Sequence, residues 1–344
     1  MTSRIEKTIA RQQEKIASGA YYESHQQLRV IAARYLKQSN YDAAADILAG
    51  GAKALLKAGS QQGASASGGD LAIMLVVDVY GKAEWEVSDD RAGRGRKNRL
   101  IEILQEFPSE EPTRKKFINE MIGWSSRFGD LERGDPDLHH AVGVIFAQEN
   151  QPYEAERHLT LGNSESTEVL ARLEYEWYTN DDSHTAAIYA SRAVFPYLLT
   201  GNVRNANKAM IIFTSQLSSS SGSLNVQSVS SQSADARVYP SLPLLNFINL
   251  LLLAVQRGST DLFKQLARHY ASHIQDVGIW DDALAQIGEL YFGIKIPKQG
   301  NPLFDMMGSM FFGGGGQGGG SSRGGQSRNP AKKVEAPPPS MDLD

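Results

Sequence analysis

The chain of 344 residues contains no cysteine. Disulfides, thiolate metal centres and cysteine nucleophiles are therefore excluded, and the composition suits a reducing compartment. The opening stretch, MTSRIEKTIARQQEK, has no apolar core and is not expected to act as a secretory leader. A net charge of −4 gives no support for nucleic-acid binding. Long hydrophobic runs are also missing. The strongest is 241-SLPLLNFINLLLLAVQRG-258, broken by Asn246 and Asn249. From Leu242 to Val255 it makes a helix of about 21 Å, short of the roughly 30 Å of a bilayer core. Ser241 suits a cap and Pro243 a first turn. The run is expected to be a buried helix rather than a membrane span, with no direct membrane insertion.

Catalytic patterns are absent too. No GxSxG elbow and no GK[ST] phosphate loop occurs. His139 and His140 are adjacent and diverge by about 100° on a helix, so they cannot share a metal. His269 and His273 are one turn apart and are expected to share a face, but Tyr270 stands where a metalloprotease helix needs Glu. Asp89-Asp90, Glu110-Glu111 and Asp181-Asp182 read as acidic residues at helix starts. No enzyme activity, metal or cofactor is expected.

What is present is helical periodicity almost throughout. Tyr21, His25, Leu28, Ala32 and Tyr35 fall on one stripe, as do Ala44, Leu48, Gly51 and Leu55 after the short turn Ser39-Asn40. The spacing predicts helices over 3–17, 21–37, 41–58, 70–84, 93–106, 111–128, 136–149, 152–161, 165–179, 184–199, 202–216, 241–256, 260–272 and 278–291. Aromatic-then-small openings recur, at Tyr41-Asp42-Ala43 and Tyr153-Glu154-Ala155. Stacked helix pairs of this kind make an all-α solenoid, tetratricopeptide-like but too degenerate for a standard repeat; a non-repetitive helical bundle is the alternative. Three stretches break the pattern. 60-SQQGASASGGD-70 reads as a flexible linker, and 214–240 as a long polar insertion that is functional or disordered. The Gly/Ser/Pro-rich 313–344 reads as a disordered tail.

One charge pattern stands out. Arg4, Lys7, Arg11 and Lys15 recur along one side of the first helix, away from Ile5, Ile9 and Ile16. Arg29, Arg34 and Lys37 extend this basic stripe on the second. It is either a solvated face or a docking surface for an acidic protein partner.

Several ordered motifs carry a resemblance: GAYYESHQQLRVIAARY (19–35), YDAAADIL (41–48), GGDL (68–71), GDPDLH (134–139), YEAERHLTLG (153–162), LPLLNFINLLLLAVQR (242–257) and YFGIKIPKQ (291–299) with Pro302. In this order they resemble the Golgi-to-ER traffic protein 4 family, which serves the guided entry of tail-anchored membrane proteins. The match runs over about residues 5 to 312. The resemblance implies a non-catalytic, cytosolic scaffold that bridges a ubiquitin-like-domain adaptor to the targeting ATPase and regulates its nucleotide-bound state. A co-chaperone carrying the client is recruited indirectly, through the adaptor. The family reading divides the solenoid into an ATPase-docking half, 1–150, and an adaptor-docking half, 151–312. The ATPase contacts it implies are Arg11 and Lys15 first, then Arg4, Lys7, Arg29 and Arg34, with Asp70 tuning hydrolysis. For the adaptor it implies the 217–240 insertion, as a hairpin-like excursion, and the helix that follows. The candidates there are Leu217, Leu224, Val226, Val229, Val238, Tyr239, Leu242, Leu245, Phe247 and Leu250. A rival reading is a scaffold subunit of another large assembly, such as a proteasome-lid-like complex.

Overall fold

A computed structural model describes residues 4–220, 224, 226–231 and 234–294. The expected tail 313–344, and the apolar segment 296–312 before it, lie outside the described residues. Fifteen α-helices are present among them: α1 (Arg4–Ala17), α2 (Tyr21–Lys37), α3 (Tyr41–Lys57), α4 (Ala64–Met74), α5 (Arg91–Gln105), α6 (Thr113–Arg127), α7 (Pro136–Gln148), α8 (Pro152–Leu159), α9 (Ser166–Tyr178), α10 (Ala186–Leu199), α11 (Val203–Ser220), α12 (Pro243–Arg257), α13 (Thr260–His269), α14 (Ala271–Val277) and α15 (Asp281–Phe292). A two-stranded antiparallel ribbon, β1 (Gln227–Ser231) and β2 (Ala234–Val238), sits between α11 and α12.

The helix starts follow from local chemistry. Asn40 caps α3 by accepting from the Ala43 amide, and Asp90 caps α5 through Gly93. Asp135 accepts from the amides of Asp137 and Leu138, with Pro136 in the first turn of α7. The helices then stack in two layers. α1, α3, α5, α7, α9 and α11 follow one another in one layer; α2, α4 and α6 form the other, where α10 later takes α12 and α15. This is the expected solenoid of helix pairs. One continuous apolar core runs through it, from Ile16 to Ile287.

Small residues set how closely the layers approach. A Cβ added to Gly51 on α3 would lie 2.6 Å from Leu28 on α2 and 3.1 Å from Leu71 on α4. The same effect corrects the linker reading of 60–70. That segment is a 3-10 turn, Gln61–Gly63, leading into α4. Gly68 packs where a Cβ would meet Leu56 at 2.8 Å and the Ala52 carbonyl at 3.0 Å, and Gly69 packs against Thr113. The glycines are there for close approach, not flexibility. The helix continues as a π turn, Leu75–Tyr80, with Tyr80 buried against Trp85 and Trp124.

Two further boundaries differ from expectation. α11 runs on through its serines to Ser220, with the Ser218 and Ser219 hydroxyls donating to the carbonyls of Thr214 and Ser215 one turn back, so that these polar side chains find partners on the helix itself. The expected helix 260–272 breaks at Tyr270 into α13 and α14. His269 and His273 therefore stand on different helices, on either side of the Tyr270 ring.

Candidate interaction surfaces

The seven residues expected at the amino-terminal surface divide into distinct groups. α1 is seated by Ile16, which is buried, and by Ile9, whose side chain fills the space left by Gly50 on α3. On its other side Lys7 and Arg11, with Arg34 from α2, line a groove of about 820 Å³. Its walls also include Val30, Ile31 and Tyr35, and a band of glutamines (Gln12, Gln26, Gln27). Val30 is 62% exposed. The groove thus joins an exposed apolar strip to three cations, none of which has an ion pair within the described residues.

The other candidates are placed differently. Lys15 bonds Glu23 at 2.9 Å and Gln27 at 3.2 Å, and its charge holds the Glu23 carboxyl below the usual range. Arg29 turns to α4 and pairs with Asp70 at 3.3 Å, while His25 meets the same Asp70 oxygen at 2.8 Å. Arg4 opens α1; its side chain is outside the description. The spacing did not bring forward His25 as the partner of Asp70, or the groove's apolar strip. A signal for the strip existed: Val30 lies off the buried stripe of α2, where a solvated helix would carry a polar residue.

The second surface is built around Asn246, one of the two amides that interrupt the apolar run. Its side chain accepts from the Tyr239 amide and donates to the Tyr239 carbonyl, both at 2.8 Å. The Tyr239 ring is fully buried, with its hydroxyl 3.0 Å from Ser218 on α11. The end of the ribbon is thereby clamped onto α11 and α12. Arg237 donates to Ser215 from the outside at 3.5 Å.

Burial sorts the ten adaptor candidates. Leu217, Tyr239, Leu242, Leu245 and Phe247 are buried in this chain's own core, so they support the surface and do not form it. Leu224, Val226, Val238 and Leu250 are half-buried and keep area to offer. Val229 stands opposite Ala236 in the ribbon, its side chain outside the description. The α12 run itself is packed by α10, α11, α13 and α14 as well as β2.

The titratable groups elsewhere are mostly consumed by packing. Lys97 is buried, bonded to Asp89, Asp135 and Asp137 at 3.0, 3.2 and 3.0 Å, and its three carboxylate partners raise its pKa against the cost of burial. Asp89 and Glu111 thus do more than start helices: Glu111 accepts from Ser65 and from Thr113. His139 and His158 share one hydrogen bond, Nδ1 to Nδ1 at 3.0 Å; burial lowers both, His158 to about 4. His140 turns instead to Ser166. Among the described residues no three His, Asp or Glu groups converge as a metal site. Nor is any helix among them long and apolar enough to cross a membrane.

The model of the family described as Golgi to ER traffic protein 4 matches residues 38–311. The protein of that name from Aspergillus fumigatus is 74% identical over the full length of both chains. Its Schizosaccharomyces pombe counterpart is 35% identical, covering 85% of this chain and 91% of the relative. The human homolog is 28% identical over 89% of this chain and 88% of its own. The crystal structure of C. therm. Get4 superposes with a TM-score of 0.81 at 52% identity, covering 91% of this chain and 97% of that one. With its two-layered helical solenoid and its motifs in order, the chain belongs to the Golgi to ER traffic protein 4 family.

Proposed function

We propose that this chain is a non-catalytic cytosolic bridge in the targeting of tail-anchored proteins to the endoplasmic reticulum. Its amino-terminal half docks the targeting ATPase, and its carboxy-terminal half holds a ubiquitin-like-domain adaptor that recruits the client-bearing co-chaperone. The observation that carries the reading is the groove between α1 and α2, where Lys7, Arg11 and Arg34 surround exposed Val30. Unpaired cations around an apolar strip suit an acidic helical surface, with steering from the charges and holding energy from the strip. Arg29 and Asp70 sit beside it on α2 and α4 as a pair that an incoming carboxylate or arginine would exchange. The second docking site lies around the clamped ribbon and Leu250 on α12.

The test is pairwise. Arg11→Glu with Arg34→Glu is expected to weaken ATPase binding and leave the adaptor complex intact. Deleting 218–236 is expected to do the opposite. A groove variant that loses both partners, or neither, would overturn the division of labour.

A further inference from the structure

The middle of the chain carries a charge pattern that neither surface uses. Residues 130–182 hold thirteen Asp and Glu against three Arg (Arg133, Arg157, Arg172) and no Lys, a net of −10; Lys97, Arg114, Lys115 and Arg192 from outside the stretch pair with six of these carboxyls and leave a net of −6. Within this stretch an aromatic face comes to the surface. α8 contributes Tyr153 and α9 contributes Trp177, ring to edge at 5.2 Å; Tyr189 follows from α10 at 5.9 Å from Trp177. Tyr153 is left 68% exposed. Tyr, Trp and Arg are the residue types enriched where interfaces concentrate their energy.

The chain already shows which side chain this face accepts. The guanidinium of Arg192 lies 5.2 Å from the Tyr153 ring centre and 4.6 Å from that of Trp177. It reaches Glu156 at 2.6 Å and Glu174 at 3.1 Å. Two carboxyl groups therefore share one cation. Glu174 is fully buried, and its Oε1 has no partner. At the edge of the face, Asp181 accepts from the Tyr189 hydroxyl at 2.9 Å, and the Asp182 amide helps hold its carboxyl low; Glu176 and Asp182, the chain neighbours of Trp177 and Asp181, are exposed.

We propose that the face formed by Tyr153, Trp177 and Tyr189, with Asp181 at its edge and the exposed Glu176 and Asp182 beside it in the chain, docks an arginine-bearing segment of another protein. The partner's guanidinium stacks on the outer face of Tyr153, as Arg192 stacks on the inner one. The surplus negative charge of the stretch draws it in. Arginine is favoured over lysine because only a planar guanidinium stacks and pairs in one geometry. The inference is independent of the bridging function proposed above.

The experiment uses the full chain and fluorescein-labelled nona-arginine, nona-lysine and a neutral glycine–serine peptide, followed by anisotropy. Nona-arginine is expected to bind about tenfold tighter than nona-lysine at 150 mM salt. Tyr153→Ala is expected to weaken it about fivefold or more at unchanged helicity, with only a small drop in thermal midpoint from the lost contacts to Trp177 and Arg192. Glu176→Lys with Asp182→Lys is expected to abolish binding. Equal affinity for the two cationic peptides with Tyr153→Ala silent would reduce the face to diffuse charge and overturn the proposal. A dimer in light scattering that Tyr153→Ala dissolves would place a second copy there and overturn it as well.

Discussion

Replacing Asn246 by Ala tests how the ribbon is held. The side chain makes two hydrogen bonds of 2.8 Å, both to the backbone of Tyr239; the Tyr239 carbonyl also accepts from the Leu242 amide at 3.1 Å, so the Tyr239 amide is the group that depends on Asn246. Each such bond has a net worth of about 0.5–1.5 kcal/mol, and a buried group left without a partner costs about 1–3 kcal/mol. The expected loss is therefore about 2 kcal/mol, concentrated on docking of the ribbon, or roughly a thirtyfold shift of the docked–undocked equilibrium. The Tyr239 ring, buried beside Ser218 and Thr214, opposes complete release. Hydrogen exchange followed by mass spectrometry gives the readout. Peptides covering 226–239 are expected to lose protection by that factor, while peptides from α3 to α5 are unchanged. On the proposed function, the adaptor complex also dissociates faster at high salt. Unaltered protection in 226–239 would refute the clamp; loss of protection throughout would show that Asn246 supports the core as a whole.

Other perturbations follow from single contacts. Reversal of Arg11 to Glu is expected to weaken ATPase binding more than reversal of Lys15, whose charge Glu23 already occupies, with a cost of about 1–3 kcal/mol that shrinks as salt is raised; equal effects in a binding titration would argue against the groove. Gly68→Ala is expected to cost about 1–3 kcal/mol in denaturant unfolding, because the new methyl meets Leu56 and the Ala52 carbonyl; a neutral outcome would restore the linker reading. Burial and the neighbouring Glu156 raise Glu174 from 4.5 to about 8. The folded chain then holds a proton that the unfolded chain releases, so stability falls as pH rises between those values, and the penalty is complete above 8. Glu174→Gln is expected to flatten that slope in thermal melts from pH 5 to 9, and to be the more stable form at pH 9 by on the order of 2 kcal/mol; parallel slopes would mean that Arg192 keeps Glu174 ionised throughout.

Most helix positions, the acidic helix start at Asp90 and the exclusion of thiol chemistry were legible in the sequence by itself, whereas the cap expected at Ser241 was not found: Leu242 precedes α12 without a side-chain bond. The legible features depend on spacing and on residues within one turn of each other, which a linear reading contains. The same holds for Leu242–Val255 as a buried helix, since its length and polar interruptions are local facts. Tertiary structure alone decided the rest. Gly68 and Gly69 resemble a linker in any window of ten residues; only the positions of Leu56 and Thr113 make them packing residues. Arg11 and Lys15 are equivalent on a helical wheel. The fold separates them by setting Arg11 over the α1–α2 groove and Lys15 against Glu23. Likewise Leu245 and Leu250 look alike in the apolar run, yet one is buried and the other half open, because α10, α11 and the ribbon cover unequal arcs of α12. Local preference fixes which residues form a helix, but the partner atoms that consume or spare each side chain come from distant parts of the chain, and those are assembled only in three dimensions.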